Sequence, residues 1–185
     1  MNPARETESD VTLPEIDLAI EADGWGDEDE LEALVARAVA AACRIAALRL
    51  LPGAELSVVL ADDSRVRELN REWRGKDTAT NVLSFPGGDE DKPPYGPLLG
   101  DLILARETVV REAGEMDLAF FDHLTHLVVH GFLHLFGYDH HMDDEAEEME
   151  DLERRILATL GIADPYLDPP GTDDDMENRF PGRAG

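Results

Sequence analysis

Apolar positions along the chain follow two different periods, and the change from one to the other divides the sequence into strands and helices. Short runs with alternating or continuous apolar residues, bounded by turn residues, predict four strands, at about 16–20, 56–60, 80–85 and 98–104. Apolar residues that recur about every 3.6 positions predict five helices, at about 27–49, 64–72, 106–114, 118–136 and 143–160. The pattern therefore predicts an α+β fold with four strands and about five helices.

Both ends of the sequence lack these periods. Residues 1–12 are polar and patternless, and residues 164–185 are rich in proline, glycine and aspartate. Such compositions are typical of segments that cannot bury enough apolar surface to fold. We therefore predict one domain over 13–163, between a flexible N-terminal tail and an acidic, flexible C-terminal tail. A chain of 185 residues is long enough to form a hydrophobic core without a metal or a disulfide.

The sequence contains no segment that indicates export or a membrane. The N-terminal residues include no apolar stretch of the kind found in signal peptides. No run approaches the ~18 apolar residues of a membrane-spanning helix. The single cysteine, Cys43, lies in an alanine-rich segment, where we expect it to be buried and reduced. These features predict a cytoplasmic protein with no membrane partner.

Charge is unevenly distributed along the chain. Forty-two acidic residues against sixteen basic ones give a net charge of −26 at pH 7, which repels nucleic acid at long range. Residues 143–153 and 172–177 hold many of the acids. We interpret both segments as solvated, the first as the outer face of the last helix and the second as part of the tail, in preference to partner-binding sites. Residues 65–76 differ, because they carry five basic residues against two acidic ones and so predict a local basic patch.

Three histidines are spaced as ligands of one metal ion. His130 and His134 are four residues apart, so on a helix they lie on one face, one turn apart. Gly137 can adopt the left-handed conformation that ends a helix, and the chain can then return His140 as a third ligand. Three imidazole nitrogens around zinc leave a fourth position open, as in catalytic sites. We therefore predict one Zn²⁺ per chain, although nickel or iron would bind similar nitrogens.

The other histidines are expected to have lesser roles. His126 lies one turn before His130, and we interpret it as a hydrogen-bonded neighbour of the site, because a fourth histidine ligand would close the metal. We expect His123 and His141 to be ordinary surface residues. Asp139 has two interpretations, as a general base or as a group that orients a histidine.

The spacing of the histidines also matches that of zinc proteases, H-E-x-x-H-x-x-G-x-x-H, at every position but one. Gly131 replaces the glutamate, which in those proteases is the general base. Its absence argues against a peptidase, and we expect Gly131 to leave space beside the metal for a bulky backbone. A zinc hydrolase that cuts a different type of bond, such as a peptide bond, remains an alternative.

Three segments resemble those of a known family. HGFLHLFGYDH at 130–140 resembles H-G-x-L-H-L-x-G-Y-D-H, a signature of the YbeY endoribonucleases, which are bacterial rRNA maturation factors. NREWRGKD at 70–77 with TNVLSFP at 80–86, and LGDLIL at 99–104, are similar to two further blocks of that family in the same order. The resemblance covers roughly residues 13–162. It implies a small mixed sheet flanked by helices, one of which carries histidines as in zinc proteases.

The resemblance also implies a function. The zinc ligands of the family fall on His130, His134 and His140, and its functionally important arginine falls on Arg74. The implied activity is zinc-dependent, single-strand-specific RNA cleavage in ribosomal RNA maturation, notably at small-subunit rRNA ends, and in ribosome quality control. The implied partners are single-stranded RNA, above all ribosomal RNA, and ribosomal subunits or assembly factors. No DNA partner is expected.

These residues suggest a mechanism for phosphodiester cleavage. A guanidinium can pair bidentately with phosphate oxygens, so our hypothesis is that Arg74 and the metal hold one scissile phosphate. Arg74 and the ligand His130 are then the catalytic residues. The nucleophile is either a metal-bound water or the RNA 2′-hydroxyl. Two alternatives remain: a structural ion pair of Arg74 with Asp77 or Asp101, and a non-catalytic, zinc-containing ribosome assembly factor.

Overall fold

A four-stranded sheet packed against five helices forms the part of the chain that the structure, a computed structural model, describes, namely residues 10–90 and 92–167. The strands are β1 (Glu15–Ile20), β2 (Glu55–Ala61), β3 (Val82–Pro86) and β4 (Leu98–Ala105). The helices are α1 (Glu28–Ile45), α2 (Asp63–Arg74), α3 (Arg106–Glu115), α4 (Phe120–His134) and α5 (Asp143–Thr159). The predicted α+β class with four strands and five helices is confirmed.

The sheet is mixed, as the family resemblance implied. Its strand order is β1-β2-β4-β3, with β1 parallel to β2, β2 parallel to β4, and β3 antiparallel to β4. Helix α1 connects the parallel strands β1 and β2, which need a long crossover. The strand β3 lies at one edge and ends at Pro86, which has no N–H to donate to a further strand. Both β3 and the segment before it are therefore available to line a site.

The main core lies between one face of the sheet and helices α1, α4 and α5. Helix α4 is the most enclosed of them, because ten of its fifteen residues are buried. A smaller apolar cluster around Val66, Leu83 and Ile103 holds α2 against the opposite face of the sheet. The histidines of α4 are thus surrounded by core residues except near the end of the helix.

Helix α2 is fixed at both ends, and this places Arg74. The Asp62 side chain accepts a hydrogen bond of 2.8 Å from the Arg65 backbone N–H, which satisfies one of the free donors of the first turn. Gly75 follows Arg74 with φ of 68°, a left-handed conformation that favours glycine. Arg74 is therefore the last residue of the helix.

Helix α1 is shorter than predicted. The apolar period predicts a helix to about residue 49, but α1 ends at Ile45 and Ala47 has φ of 50°. The chain must reverse there to reach β2, so alanines that favour helix are used in a turn. Cys43 is fully buried, as predicted.

The predicted tails lie largely outside the described residues, and the predicted domain boundaries stay predictions. Residues 164–167 are described, and Asp164 contacts α5 through an ion pair of 3.2 Å with Arg154. None of the helices within 10–90 and 92–167 is both long and apolar enough to cross a membrane.

Candidate metal centre

The structure brings the three predicted ligand histidines together. His130 and His134 lie one turn apart on α4, with their Nε2 atoms 3.1 Å apart. The His140 ring comes from the loop after α4, and its centroid lies 5.0 Å from that of His130 and 4.7 Å from that of His134. One potential ligand atom from each of the three residues lies within 4.8 Å of the others.

This geometry fits a tetrahedral metal ion. Two nitrogen ligands roughly 2.0–2.1 Å from one zinc ion stand about 3.3 Å apart, close to the 3.1 Å between His130 and His134. Burial, followed by the neighbouring His130 and His140, lowers the pKa of His134 to about 3. A neutral imidazole keeps the lone pair that a metal requires. The residues present therefore fit the implied metal.

The loop after α4 delivers His140. Leu135 and Phe136 are buried and hold the start of the loop in the core, and Gly137 has φ of 83°. Asp139 accepts a hydrogen bond of 2.7 Å from the His140 backbone N–H and lies 2.9 Å from the His141 ring. These contacts lie within the loop, so Asp139 helps to hold the backbone at His140.

A buried carboxylate lies directly behind His130. Glu153 of α5 is fully buried, and its Oε1 lies 2.5 Å from His130 Nδ1. Its Oε2 accepts a hydrogen bond from the Tyr166 hydroxyl and lies 3.5 Å from His126 Nε2. Burial alone would raise the pKa of the Glu153 carboxyl, but His130, together with hydrogen bonds from both histidines, outweighs it and holds that pKa well below its usual range.

The interpretation of 143–153 as a solvated face is wrong at Glu153. This residue lies four positions after Met149 and three before Ile156, both of which are buried. Residues three and four apart share a helix face, so position 153 belongs to the apolar stripe. That periodicity could have identified it, but the acidic composition of the segment concealed it.

His126 lies beneath the three ligands, as a buried neighbour of Glu153. His126, His130 and Glu153 also have potential ligand atoms within 4.8 Å of one another. However, the 2.5 Å between His130 and Glu153 is the length of a hydrogen bond and is shorter than the separation of two ligands on one ion. This group therefore supports the His130 side of the site.

The prediction that His123 is a surface residue is wrong, because α4 is enclosed along this part of its length. His123 is 1% exposed, and its Nε2 lies 2.9 Å from Glu112 of α3. Glu112 in turn accepts hydrogen bonds of 3.1 and 3.2 Å from Asn81, just before β3. These buried contacts join α3, α4 and the segment before β3, and they hold the Asn81 side chain in place. His141 is exposed, as predicted.

Arg74 lines the same groove as the three histidines. Its Nη2 donates a hydrogen bond of 3.1 Å to the Ser84 carbonyl, and its guanidinium carbon lies 5.5 Å from the centroid of the Phe85 ring. Asp77 pairs instead with Arg67, at 2.9 and 3.0 Å. Among the described residues no carboxylate lies within 4.0 Å of Arg74, so the alternative of a structural ion pair with Asp77 or Asp101 is not found.

The groove has a volume of about 480 Å³, and its charged lining residues are Arg74, Lys76 and Asp139. Arg74 and Lys76 line it together with the three histidines. Asn81 and Ser84 also form part of its surface. Arg74 and Lys76 thus place positive charge in this groove, although the net charge of the protein is −26.

Gly131 does not leave space beside the metal, contrary to expectation. A Cβ at this position would lie 3.0 Å from Val82 Cγ2 and 3.1 Å from Ser84 Oγ. The Ser84 hydroxyl donates a hydrogen bond of 2.9 Å to the Gly131 carbonyl. Gly131 therefore allows α4 to pack closely on β3, on the side where zinc proteases carry their glutamate.

Together these elements define an α+β protein with a three-histidine centre near the end of its most buried described helix, in a groove that Arg74 and Lys76 also line. The profile of the family described as Endoribonuclease YbeY matches residues 19–161. The chain belongs to this family, and the resemblance seen in the sequence is confirmed.

Two relatives illustrate the similarity. The chain is 55% identical over 159 residues to Endoribonuclease YbeY of Allorhizobium ampelinum, covering 82% of this chain and 94% of the relative. It is 53% identical over 167 residues to Endoribonuclease YbeY of Rhizobium meliloti, covering 86% and 99%. The solution structure of TM1509 from Thermotoga maritima shares the fold, with a TM-score of 0.51 and 25% identity over 85% of this chain and 99% of the other.

Proposed function

We propose that the chain is a zinc-dependent endoribonuclease that cuts single-stranded RNA in the cytoplasm. Its proposed role is the maturation of ribosomal RNA ends, notably those of the small subunit, and ribosome quality control together with ribosomal subunits or assembly factors. The observation that carries the proposal is the common groove, which is lined both by three histidines at metal-binding distances and by Arg74. Membership of a family described as endoribonucleases supports the choice of RNA.

His130, His134 and His140 would hold the metal. Zinc bound there supplies Lewis acidity, which polarises a phosphate oxygen and lowers the pKa of a bound water to about 7. The three donors are imidazole nitrogens, a ligand type that suits zinc well. We assign His130 two roles, as a metal ligand and as a catalytic residue.

Arg74 would bind the phosphate. A guanidinium offers several N–H donors in one plane, and the Ser84 carbonyl accepts from only one of its terminal nitrogens. The remaining donors can pair with two phosphate oxygens and offset the charge that develops during cleavage. The contacts with Ser84 and Phe85 hold the side chain in place, so less freedom is lost when RNA binds.

The negative net charge of the protein would repel RNA at long range, but the groove provides positive charge where the phosphate would bind. Phosphate binding depends on the charges near the phosphate, because exposed charges farther away than about 8 Å are largely screened at physiological salt. The volume of about 480 Å³ lies within the range of roughly 300–1,000 Å³ found for small-ligand sites. A short stretch of unpaired RNA can therefore enter.

The test compares the cleavage of a single-stranded ribosomal RNA fragment by the wild type, His134→Ala, Arg74→Glu and Arg71→Glu. Arg71 lies on the same helix but does not line the groove, so its variant controls for the change of charge. We expect His134→Ala and Arg74→Glu to lose at least 100-fold in kcat/KM, a loss of about 2.7 kcal/mol, and Arg71→Glu to lose little.

Equal cleavage by all four proteins would mean that a contaminating nuclease cuts the RNA, and the proposal would fail. Metal-dependent RNA binding without cleavage would instead support a non-catalytic assembly factor. Zinc-dependent cleavage of unfolded protein substrates would support a hydrolase of another bond class. The far-UV circular dichroism of each variant is compared first, because metal loss can unfold a metal-binding domain.

A further inference from the structure

We propose that Glu153, held in place by Tyr166 and His126, is a positioning residue that orients His130 toward the metal. The segment after α5 then forms part of the metal centre. This inference rests on the proposed metal site and goes beyond the three ligands and Arg74.

The first support is the contact between Glu153 and His130. Glu153 Oε1 lies 2.5 Å from His130 Nδ1, so this nitrogen is engaged in a hydrogen bond and only Nε2 can bind a metal. His130 Nε2 is also the atom that lies 3.1 Å from His134 Nε2. In metal sites a ligand histidine commonly donates its other N–H to a carboxylate, which fixes the ring and increases its basicity.

The second support is that the other oxygen of Glu153 is itself held. A buried carboxylate without partners is costly, yet Glu153 Oε2 accepts from the Tyr166 hydroxyl and lies 3.5 Å from His126 Nε2. The His126 and Tyr166 rings pack edge to face, with centroids 5.7 Å apart. Both oxygens of Glu153 therefore have partners, which hold the carboxylate against His130.

The third support is how Tyr166 is anchored. The Arg154 guanidinium carbon lies 5.1 Å from the centroid of the Tyr166 ring, and Arg154 also pairs with Asp164 at 3.2 Å. These contacts fix residues 164–166 on α5. The match to the family profile ends at residue 161, so Tyr166 supports the site from outside the matched region.

The test measures zinc affinity in the full-length protein by competition with a chromophoric chelator. Glu153→Gln keeps the volume of the side chain, and we expect it to weaken zinc binding by about 10- to 100-fold. Tyr166→Phe removes one hydroxyl and is expected to weaken binding in the same direction but less. Glu147→Gln is the matched control, because Glu147 is exposed on the same helix and its variant should bind zinc like the wild type.

A folded Glu153→Gln variant that binds zinc as tightly as the wild type would overturn the inference. If that variant does not fold, long-range ¹H–¹⁵N NMR spectra of the zinc-loaded wild type decide the question. They should show a protonated Nδ1 and a metal-bound Nε2 at His130, and metal on Nδ1 would refute the arrangement.

Neither readout uses RNA, so failure of this inference is distinct from failure of the proposed nuclease activity. A wild type that cuts no RNA but shows the expected zinc affinities and NMR signals retains the positioning role. A wild type that binds no zinc removes both the metal site and its support.

Discussion

Gly131→Ala tests the close contact between α4 and β3, and the change adds a single methyl group. The new Cβ would lie 3.0 Å from Val82 Cγ2, 3.1 Å from Ser84 Oγ and 3.2 Å from Leu102 Cδ2. Carbon contacts are optimal at about 3.5–4.0 Å, so the helix or its neighbours must move by several tenths of an ångström. Such overpacking typically costs about 1–3 kcal/mol.

A second helical glycine separates this steric cost from helix propensity. Gly114, near the end of α3, has no atom within 4 Å of a Cβ built on it. Replacing it with alanine should stabilise the protein by roughly 0.5–1 kcal/mol, because alanine favours helix. Gly131→Ala gains the same helix propensity, but the steric cost of overpacking is larger, so we expect this variant to be less stable than the wild type by up to about 2 kcal/mol.

The assay is urea unfolding of the metal-free proteins, with the free energy of unfolding taken from the midpoint and the slope. The difference between the Gly131→Ala and Gly114→Ala variants should equal the steric cost of about 1–3 kcal/mol. If both variants are stabilised equally, α4 does not lie against β3 as described. The argument that this contact requires a glycine, and excludes the protease glutamate, would then be wrong.

Two further predictions follow from single side chains. The pKa of His134 is lowered to about 3 in the folded protein, whereas the pKa of an unfolded histidine is about 6.5. Between these two pH values the unfolded chain binds more protons than the folded protein does. The metal-free protein should therefore lose stability as the pH falls through this window. Urea unfolding from pH 7 to 5 should show a smaller loss of stability in His134→Asn than in the wild type, and equal slopes would contradict this. Burial raises the pKa of the Cys43 thiol to about 12, so iodoacetamide at pH 8 should not modify Cys43 in the native protein but should modify it in urea. Mass spectrometry measures the extent of this modification. Rapid labelling of the native protein would contradict the prediction and would mean that α1 opens easily.

The parts of the site that could be predicted from the sequence are those that depend on local spacing. His130 and His134 share a face because four residues make about one helical turn, and Gly137 indicates where the helix gives way to the loop with His140. Arg74 is identified as a functional residue only from the family resemblance, because its position relative to the histidines depends on how α2 packs against the sheet. The strand order likewise depends on tertiary packing, which apolar periods do not specify.

The supporting residues were missed for a physical reason. Glu153 belongs to an acidic segment, and its burial depends on partners from α4 and from the segment after α5. The contacts of Glu112 with His123 and Asn81 join residues up to 31 positions apart. A polar residue is buried only when such partners exist, and a single sequence does not display distant pairs.

The enclosure of α4 limits how this protein can change over evolutionary time. The helix that carries two of the proposed ligands also supplies much of the hydrophobic core, so substitutions that alter the core also disturb the ligands. Loops usually let enzymes vary their sites without risk to the fold. In this protein such freedom is confined to the groove residues outside α4, so changes in RNA preference are expected to arise around Arg74 and β3 while the histidine pair stays fixed.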